Sequence, residues 1–530
     1  MSKKRALLYV VLLLSFALLG QLTAFAQEPV VGGTMTVAIA SEPDTLDIHM
    51  TGNGEVMQAV WLMGATLVAR DTEANYHPWL ATEWTTSEDG MTWEFKLRED
   101  VTFHNGKPLT ANEYAWTINR LLAPETAAPQ AGRLRAVANA EAVDDYTLRL
   151  NMAAPFPLLL EQLSNTGVVQ PYDPEYVENA DNNFGRTFMG VGPYRFVEWV
   201  TGDRLVLERN PDFNWGPEFM TNQGAYNIER IVFRIIPETA TVLAGLEAGE
   251  IDYAVVPGRE VSYLESLGTL NILESNTQGM NPSLHMNLSL PPFDDLRVRQ
   301  AFNLAVDRET LITVAAEGLA IPQYGPLSSN INGYDPTVEE IGYHYDLDAA
   351  RALMAEAGYT ANAAGLLEKD GAVLTLPFTC TAGFDTACQV IQAQFAELGV
   401  TLEIQVVDAG TALGALLGHQ YTVMLTGYSA SESDILYRWF HTSRPGALNP
   451  SNAPANAELD AILDATRTDL ANRAEHVNEA QRFLVENAWV VPLYNPSQFT
   501  IISKRVNGFV PNPRALATMN AFFNDAYISE

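Results

Sequence analysis

Several short runs in this chain carry the residue types of a reaction centre, and each can be set against the spacing its chemistry requires. Gly427-Tyr428-Ser429-Ala430-Ser431 has the outline of a nucleophile elbow, the tight strand-to-helix turn that exposes a serine hydroxyl, but Ser431 stands where the closing glycine belongs. Asp294-Asp295 offers the paired carboxylates of a glycosidase. It lies directly before a helical pattern, however, where aspartate serves a helix N-terminus. Gly190-Val191-Gly192 is followed by Pro193 and opens no helix, so it is not a dinucleotide fingerprint. Gly106-Lys107 has Val101 where a phosphate loop needs its first glycine. The 8 histidines are scattered singly and no His-Glu-x-x-His occurs, so neither a metal site nor a cofactor is expected. Cys380 and Cys388 are the only cysteines. Eight residues apart, they could close a loop between a strand and a helix as a disulfide.

With no catalytic constellation in view, the rest of the chain bounds the class. It has 530 residues, 47% hydrophobic and 18% charged, enough for two or three globular domains. Its net charge of −33 argues against nucleic acid, which requires a basic face. Lys3, Lys4 and Arg5 precede an apolar run from Ala6 to Leu19, and Ala24-Phe25-Ala26 has the form of a signal-peptidase site. A leader cleaved near Ala26 is expected, with no cysteine nearby for a lipid anchor. The mature protein is expected to be periplasmic or secreted.

The elements that would position any site can be read from patterning. Thr92-Trp93-Glu94-Phe95-Lys96-Leu97 alternates polar and apolar after the turn Ser87-Glu88-Asp89-Gly90, which predicts a β-hairpin. Thr110 with Glu113 predicts a capping box. Ile231 to Ile236, a helix from Thr239 ended by Gly249, and Ile251 to Val256 predict a βαβ unit. Further on, helices are predicted from Arg297 to Ala316, Asp348 to Ala357, Ala387 to Leu398, Glu458 to Thr466 and Arg473 to Glu486. Strands are predicted from Val373 to Phe378, Val400 to Val407 and Tyr421 to Thr426.

In order along the chain, several landmarks resemble those of the family 5 extracellular solute-binding proteins. They are Gly33 to Asp47 (GTMTVAIASEPDTLD), Trp79 to Ala111, Gly190 to Tyr194, Arg209 to Phe213, Pro292 to Phe302 with Ala305 to Arg308, Tyr345 to Tyr359, and Pro492 to Tyr494. The resemblance implies an α/β fold of two lobes hinged by crossing strands, with an additional mainly β domain. It implies a leader at 1–26, lobe I at 27–64, 189–285 and 500–530, the extra domain at 65–188, and lobe II at 286–499. It implies a monomeric receptor that takes a small ligand into the cleft and delivers it to an ABC permease. An oligopeptide is the expected ligand, with an oligosaccharide as the alternative. An exported hydrolase is the reading from a different class.

The same resemblance locates the ligand site. Peptide-binding relatives follow a strand with Gly-Trp and, three residues later, an aspartate that pairs with the peptide amine. Here the stretch reads Gly427, Tyr428, Ser429, Ala430, Ser431, so a serine falls at the aspartate's place, and Glu432 or Asp434 is left to substitute. Phe378 to Ala387 holds no arginine or lysine for a carboxylate clamp, so both charge anchors of a dipeptide are missing from their usual segments. Gly52 and Asn53 lie at the cleft by resemblance, and Asn281 near the crossing could bond ligand or hold a turn. Trp439 and Tyr428 could stack on a ligand, whereas Trp61 is read as core.

Overall fold

The computed structural model describes residues 30–51, 54–73, 75–165, 167–430, 432–443, 449–512 and 521–529. The expected leader, Gly52, Asn53 and Ser431 lie outside them.

The first sheet grows from Thr34–Ile39, whose Met35, Val37 and Ile39 point into the core. This strand pairs in parallel with Arg230–Ile235 on one side and touches Tyr253–Val256 at Val37 on the other. Between those two neighbours runs the helix Thr239–Ala248, which Gly249 ends in the left-handed region at φ 72°. The predicted βαβ unit is therefore present, with the N-terminal strand inserted between its strands. Leu270–Asn276 and Tyr494–Ser503 extend the sheet beyond Tyr253–Val256, and Arg204–Arg209 and Tyr194–Val200 complete its other side.

The predicted hairpin pairs Ala81–Thr86 with Thr92–Leu97, setting Trp84 opposite Phe95. It sits in a four-stranded antiparallel sheet with Thr147–Met152 and Val137–Asp144. The helix Ala111–Leu122 covers this sheet, opened by both halves of the Thr110–Glu113 capping box. Phe95, Leu148, Tyr114 and Ile118 join Met35, Val37 and Phe233 in one continuous hydrophobic core. The β-rich segment is thus packed onto the first sheet rather than suspended from it.

A second core surrounds a five-stranded sheet ordered Thr401–Val407, Thr375–Thr381, Val423–Ser429, Gly279–Met286, Val490–Pro492. The chain passes between the two sheets from Asn276 to Gly279 and again from Pro492 to Tyr494. The two crossings touch, with Thr277 N donating to Pro496 O at 3.0 Å. Adjacent crossings of this kind make a hinge.

The strand expected from Val373 to Phe378 is Thr375–Thr381, with Ala372–Val373 in a separate small sheet, and two further elements differ from the sequence reading. The single helix expected from Arg297 to Ala316 is two, Leu296–Leu304 and Arg308–Ala315. Asp307 causes the break by capping a new N-terminus, its carboxylate accepting from Thr310 N at 3.1 Å and Oγ1 at 2.6 Å. The strand expected from Tyr421 to Thr426 is Val423–Ser429, because pairing with Gly279–Met286 continues to Gly279 opposite Ser429. Gly427 and Tyr428 therefore lie on a strand and not in a loop. Asp295 caps its helix as expected, accepting from Arg297 N at 2.9 Å.

Cys380, at the end of Thr375–Thr381, is bonded to Cys388 in the helix Asp385–Leu398, with both residues fully buried. The closed loop is short, so the bond is expected to contribute about 2–3 kcal/mol. Urea unfolding of the Cys380→Ala/Cys388→Ala double variant should show that loss, and an unchanged midpoint would refute it.

Candidate functional site

Val423–Ser429 delivers Tyr428 to the hinge end of the second sheet, opposite Met280. Beyond the strand the chain turns through Glu432, Ser433 and Asp434, all buried, into the helix Ile435–Phe440. A β-bridge to Asn332 holds Glu432. The helix turns Trp439 back under the strand, where its indole is 1% exposed and 5.0 Å from the Tyr428 ring. His285 lies 5.6 Å from the same indole, and burial lowers its pKa to about 4, so it stays neutral. Trp439 is therefore packed floor, and only Tyr428, half-buried, can offer a ring to a ligand.

The two candidate acids have different fates. Asp434 accepts from Arg467 Nε at 2.7 Å, and Arg135 lies 3.6 Å away. Arg467 also stacks over Tyr437 at 3.5 Å. Asp434 is therefore saturated by cations. Glu432 receives Arg438 Nη2 on Oε1 at a long 3.4 Å, and its buried Oε2 has no hydrogen-bond partner among the described residues. Burial pushes its pKa up to about 8, and the carboxylate of Asp434 adds to the rise against the pull of Arg438.

The opposite wall comes from the N-terminal half. Arg133 stands in the short 3-10 turn Ala131–Leu134, with its Nε on Gln130 Oε1 at 2.8 Å. Gln130 in turn donates to Thr51 O at 2.8 Å, tying this turn to Thr51. Glu161 is buried and accepts from Arg70 at 3.1 Å and from the Tyr76 hydroxyl at 3.4 Å. Its pKa is raised by burial, against Arg70 and against Arg473 from the other wall. Arg133 feels Glu432, Arg438, Tyr428 and Glu161 in the same way. Charged groups from residues 70–161 and 432–473 thus face one another across the cleft, and Arg135 to Asp434 is an ion pair spanning it.

The sequence reading found Tyr428, Glu432, Asp434 and Trp439, and the structure brings these four together. Asn281 is 3% exposed, and its Nδ2 donates to Gln323 Oε1 at 3.1 Å and Thr277 O at 3.3 Å, so its amide is spent within the crossing. Gly427 presses against the backbone there, with a Cβ at this position meeting Pro282 N at 3.2 Å. Ser429 is the last residue of its strand. Trp61 packs against Phe522 with the rings 6.0 Å apart, in keeping with a core role. The arginines were missed. Their walls lie some 300 positions apart in the chain, and no local pattern marks Arg133 or Arg473. Among the described residues no group of acids, histidines and cysteines is placed to hold a metal, and no helix is long and apolar enough to cross a membrane.

Two sheets with separate cores, joined by adjacent crossings and facing each other across a charged cleft, define a two-lobed ligand-binding protein. The chain belongs to the bacterial extracellular solute-binding proteins, family 5, whose profile matches residues 75–446. The glutathione-binding protein GsiB of Pectobacterium atrosepticum is 28% identical over 468 residues, 85% of either chain. The oligopeptide-binding protein AppA of Bacillus subtilis, solved with a nonapeptide, superposes with a TM-score of 0.72 at 21% identity, covering 95% of this chain and all of that one. NikA of Brucella suis, solved with Fe(III)-EDTA, reaches 0.80 at 23% identity over 94% of this chain and all of its own. The two-lobed α/β fold implied by the resemblance is the fold observed.

Proposed function

We propose that this protein is an extracytoplasmic receptor that captures a peptide in the interlobe cleft and hands it to an ABC permease, without chemical change to the ligand. Glu432 carries the reading. It is a buried carboxyl with one unpartnered oxygen, at the end of the strand that bears Tyr428. A peptide α-amine paired with that oxygen would favour the ionised carboxylate. Asp434 is already paired and does not compete for this role. Glutathione-binding and oligopeptide-binding relatives support a peptide. A neutral oligosaccharide fits less well, because it would leave so many charged groups in a closed cleft without counter-charge. Export with cleavage near Ala26, a monomeric state, and the division into lobes and an extra domain given above belong to the same reading.

Native mass spectrometry of protein purified without a ligand-stripping step should show a retained small molecule. Titration calorimetry with a panel of di- to pentapeptides, glutathione and oligosaccharides should give stoichiometric binding of peptides without product formation. Release of hydrolysis products would overturn the reading. Tyr428→Ala is expected to weaken the bound peptide by about 1–2 kcal/mol, the value of one aromatic contact with its buried area. Unchanged affinity would move the site elsewhere.

A further inference from the structure

The protein as a whole is strongly acidic, with a net charge of −33, yet the cleft is not. Six guanidiniums, those of Arg70, Arg133, Arg135, Arg438, Arg467 and Arg473, meet three carboxylates, those of Glu161, Glu432 and Asp434. Among the described residues the cluster holds at least three positive charges in excess, and more while Glu432 keeps its proton. Four of the arginines have a carboxylate within ion-pairing distance. Arg133 and Arg473 do not. Among the described residues Arg133 bonds the neutral Gln130 oxygen and Arg473 bonds the Ser433 hydroxyl at 3.2 Å, with the buried Nε of Arg473 unpartnered. One stands on each wall of the cleft.

From this arrangement we infer that the captured peptide is acidic, carrying at least one side-chain carboxylate besides its C-terminus, with Arg133 and Arg473 as its anion anchors. The inference rests on the peptide-receptor reading and narrows it. Closing the cleft brings Arg133 on one wall toward Arg438 and Arg473 on the other, and neither Arg133 nor Arg473 has a carboxylate partner among the described residues. Like charges oppose that approach in a low-dielectric gap. A ligand with two carboxylates removes the opposition, and a guanidinium offers a planar fork to each. Such a ligand therefore binds the closed state better than the open one, which is the differential affinity that closure requires. A cationic peptide would add to the repulsion and hold the lobes apart. The amine on Glu432 and the carboxylates on the two arginines are compatible demands on one zwitterionic peptide.

The test is calorimetry with three matched tripeptides, Ala-Glu-Ala, Ala-Gln-Ala and Ala-Lys-Ala, on the native protein and on Arg133→Gln/Arg473→Gln. The acidic peptide should bind the native protein about tenfold or more tighter than its amide isostere, the scale of a hydrogen bond to a charged group, with the lysine peptide weakest. The double variant should lose that preference while still binding Ala-Gln-Ala, and Arg133→Lys/Arg473→Lys should restore part of it. Thermal unfolding without ligand checks that the variants fold. If Ala-Gln-Ala binds as well as Ala-Glu-Ala, or the preference survives in the double variant, the inference fails and the receptor reading stands. If no tripeptide binds, the peptide reading falls and takes the inference with it.

Discussion

Asp434→Ala is expected to lower the free energy of unfolding by about 3–5 kcal/mol, the cost of removing one partner from a buried ion pair. Asp434 is 5% exposed and compensates the Arg467 guanidinium, whose side chain is 13% exposed. Without the carboxylate, Arg467 stays largely shielded against the Tyr437 ring and loses its bonded counter-charge. The reciprocal change at the cleft should cost far less. Arg135 has a side chain 43% exposed and approaches Asp434 only to 3.6 Å, so Arg135→Ala should stay within about 1 kcal/mol. Its effect belongs to the lobes and not to folding. Losing the ion pair that spans the cleft should shift the ligand-free protein toward the open form, visible as a larger radius of gyration by solution scattering. Urea unfolding of both variants reads the contrast. A loss below about 1 kcal/mol for Asp434→Ala would mean that Arg467 reaches solvent.

How much of this was visible in the sequence depends on the reach of each interaction. The hairpin around Ser87–Gly90 and the helix after Thr110 are set by residues within four positions of one another, and both appear as expected. The same holds for the helix ends at Gly249 and Gly399, where only glycine takes the left-handed conformation without strain. Asp307 gives no local sign of the break, because an aspartate inside a periodic apolar pattern can face solvent or start a new helix. Only the Thr310 bonds show which. The end of Val423–Ser429 was cut short because Gly427 and Ser429 look like turn residues. The partner strand Gly279–Met286, some 140 residues earlier, keeps them extended.

The site shows the same division. Tyr428, Glu432 and Asp434 can be singled out from sequence because they lie within one short stretch of chain. Which acid is free was not legible, since it is decided by Arg467 and Arg135, which reach Asp434 from one later helix and one much earlier turn. The stretch from Phe378 to Ala387 lacks the cation of a dipeptide clamp in its usual segment. The arginines that line the cleft enter from segments that become neighbours only when two sheets face each other across the hinge.

Glu432→Gln should act on stability and on binding in opposite directions. In the folded, ligand-free protein burial pushes the carboxyl up to about 8, above its ordinary value of 4.5, so the folded state keeps a proton that the unfolded state releases. Stability from this group is therefore full below about pH 4.5 and falls as the pH rises toward 8. Glutamine mimics the protonated form and removes the slope. The variant should match the native protein near pH 4 and exceed it by about 2–4 kcal/mol at pH 8. For a peptide with a free amine the order reverses. The amine favours the ionised carboxylate, overriding the Asp434 and Glu161 charges that oppose it and joining the Arg133 and Arg438 charges that favour it. Binding at pH 7 should then release close to one proton, read from the dependence of the calorimetric enthalpy on buffer ionisation. Glu432→Gln abolishes that release and weakens the peptide by about 2–4 kcal/mol, the scale for one member of a buried charged pair. The N-acetylated peptide supplies the control, because it has no amine for Glu432 to meet. If acetylation and Glu432→Gln weaken binding independently, so that their losses add, the carboxyl shapes the cleft without touching the amine. If the second change costs little once the first is made, the contact is direct.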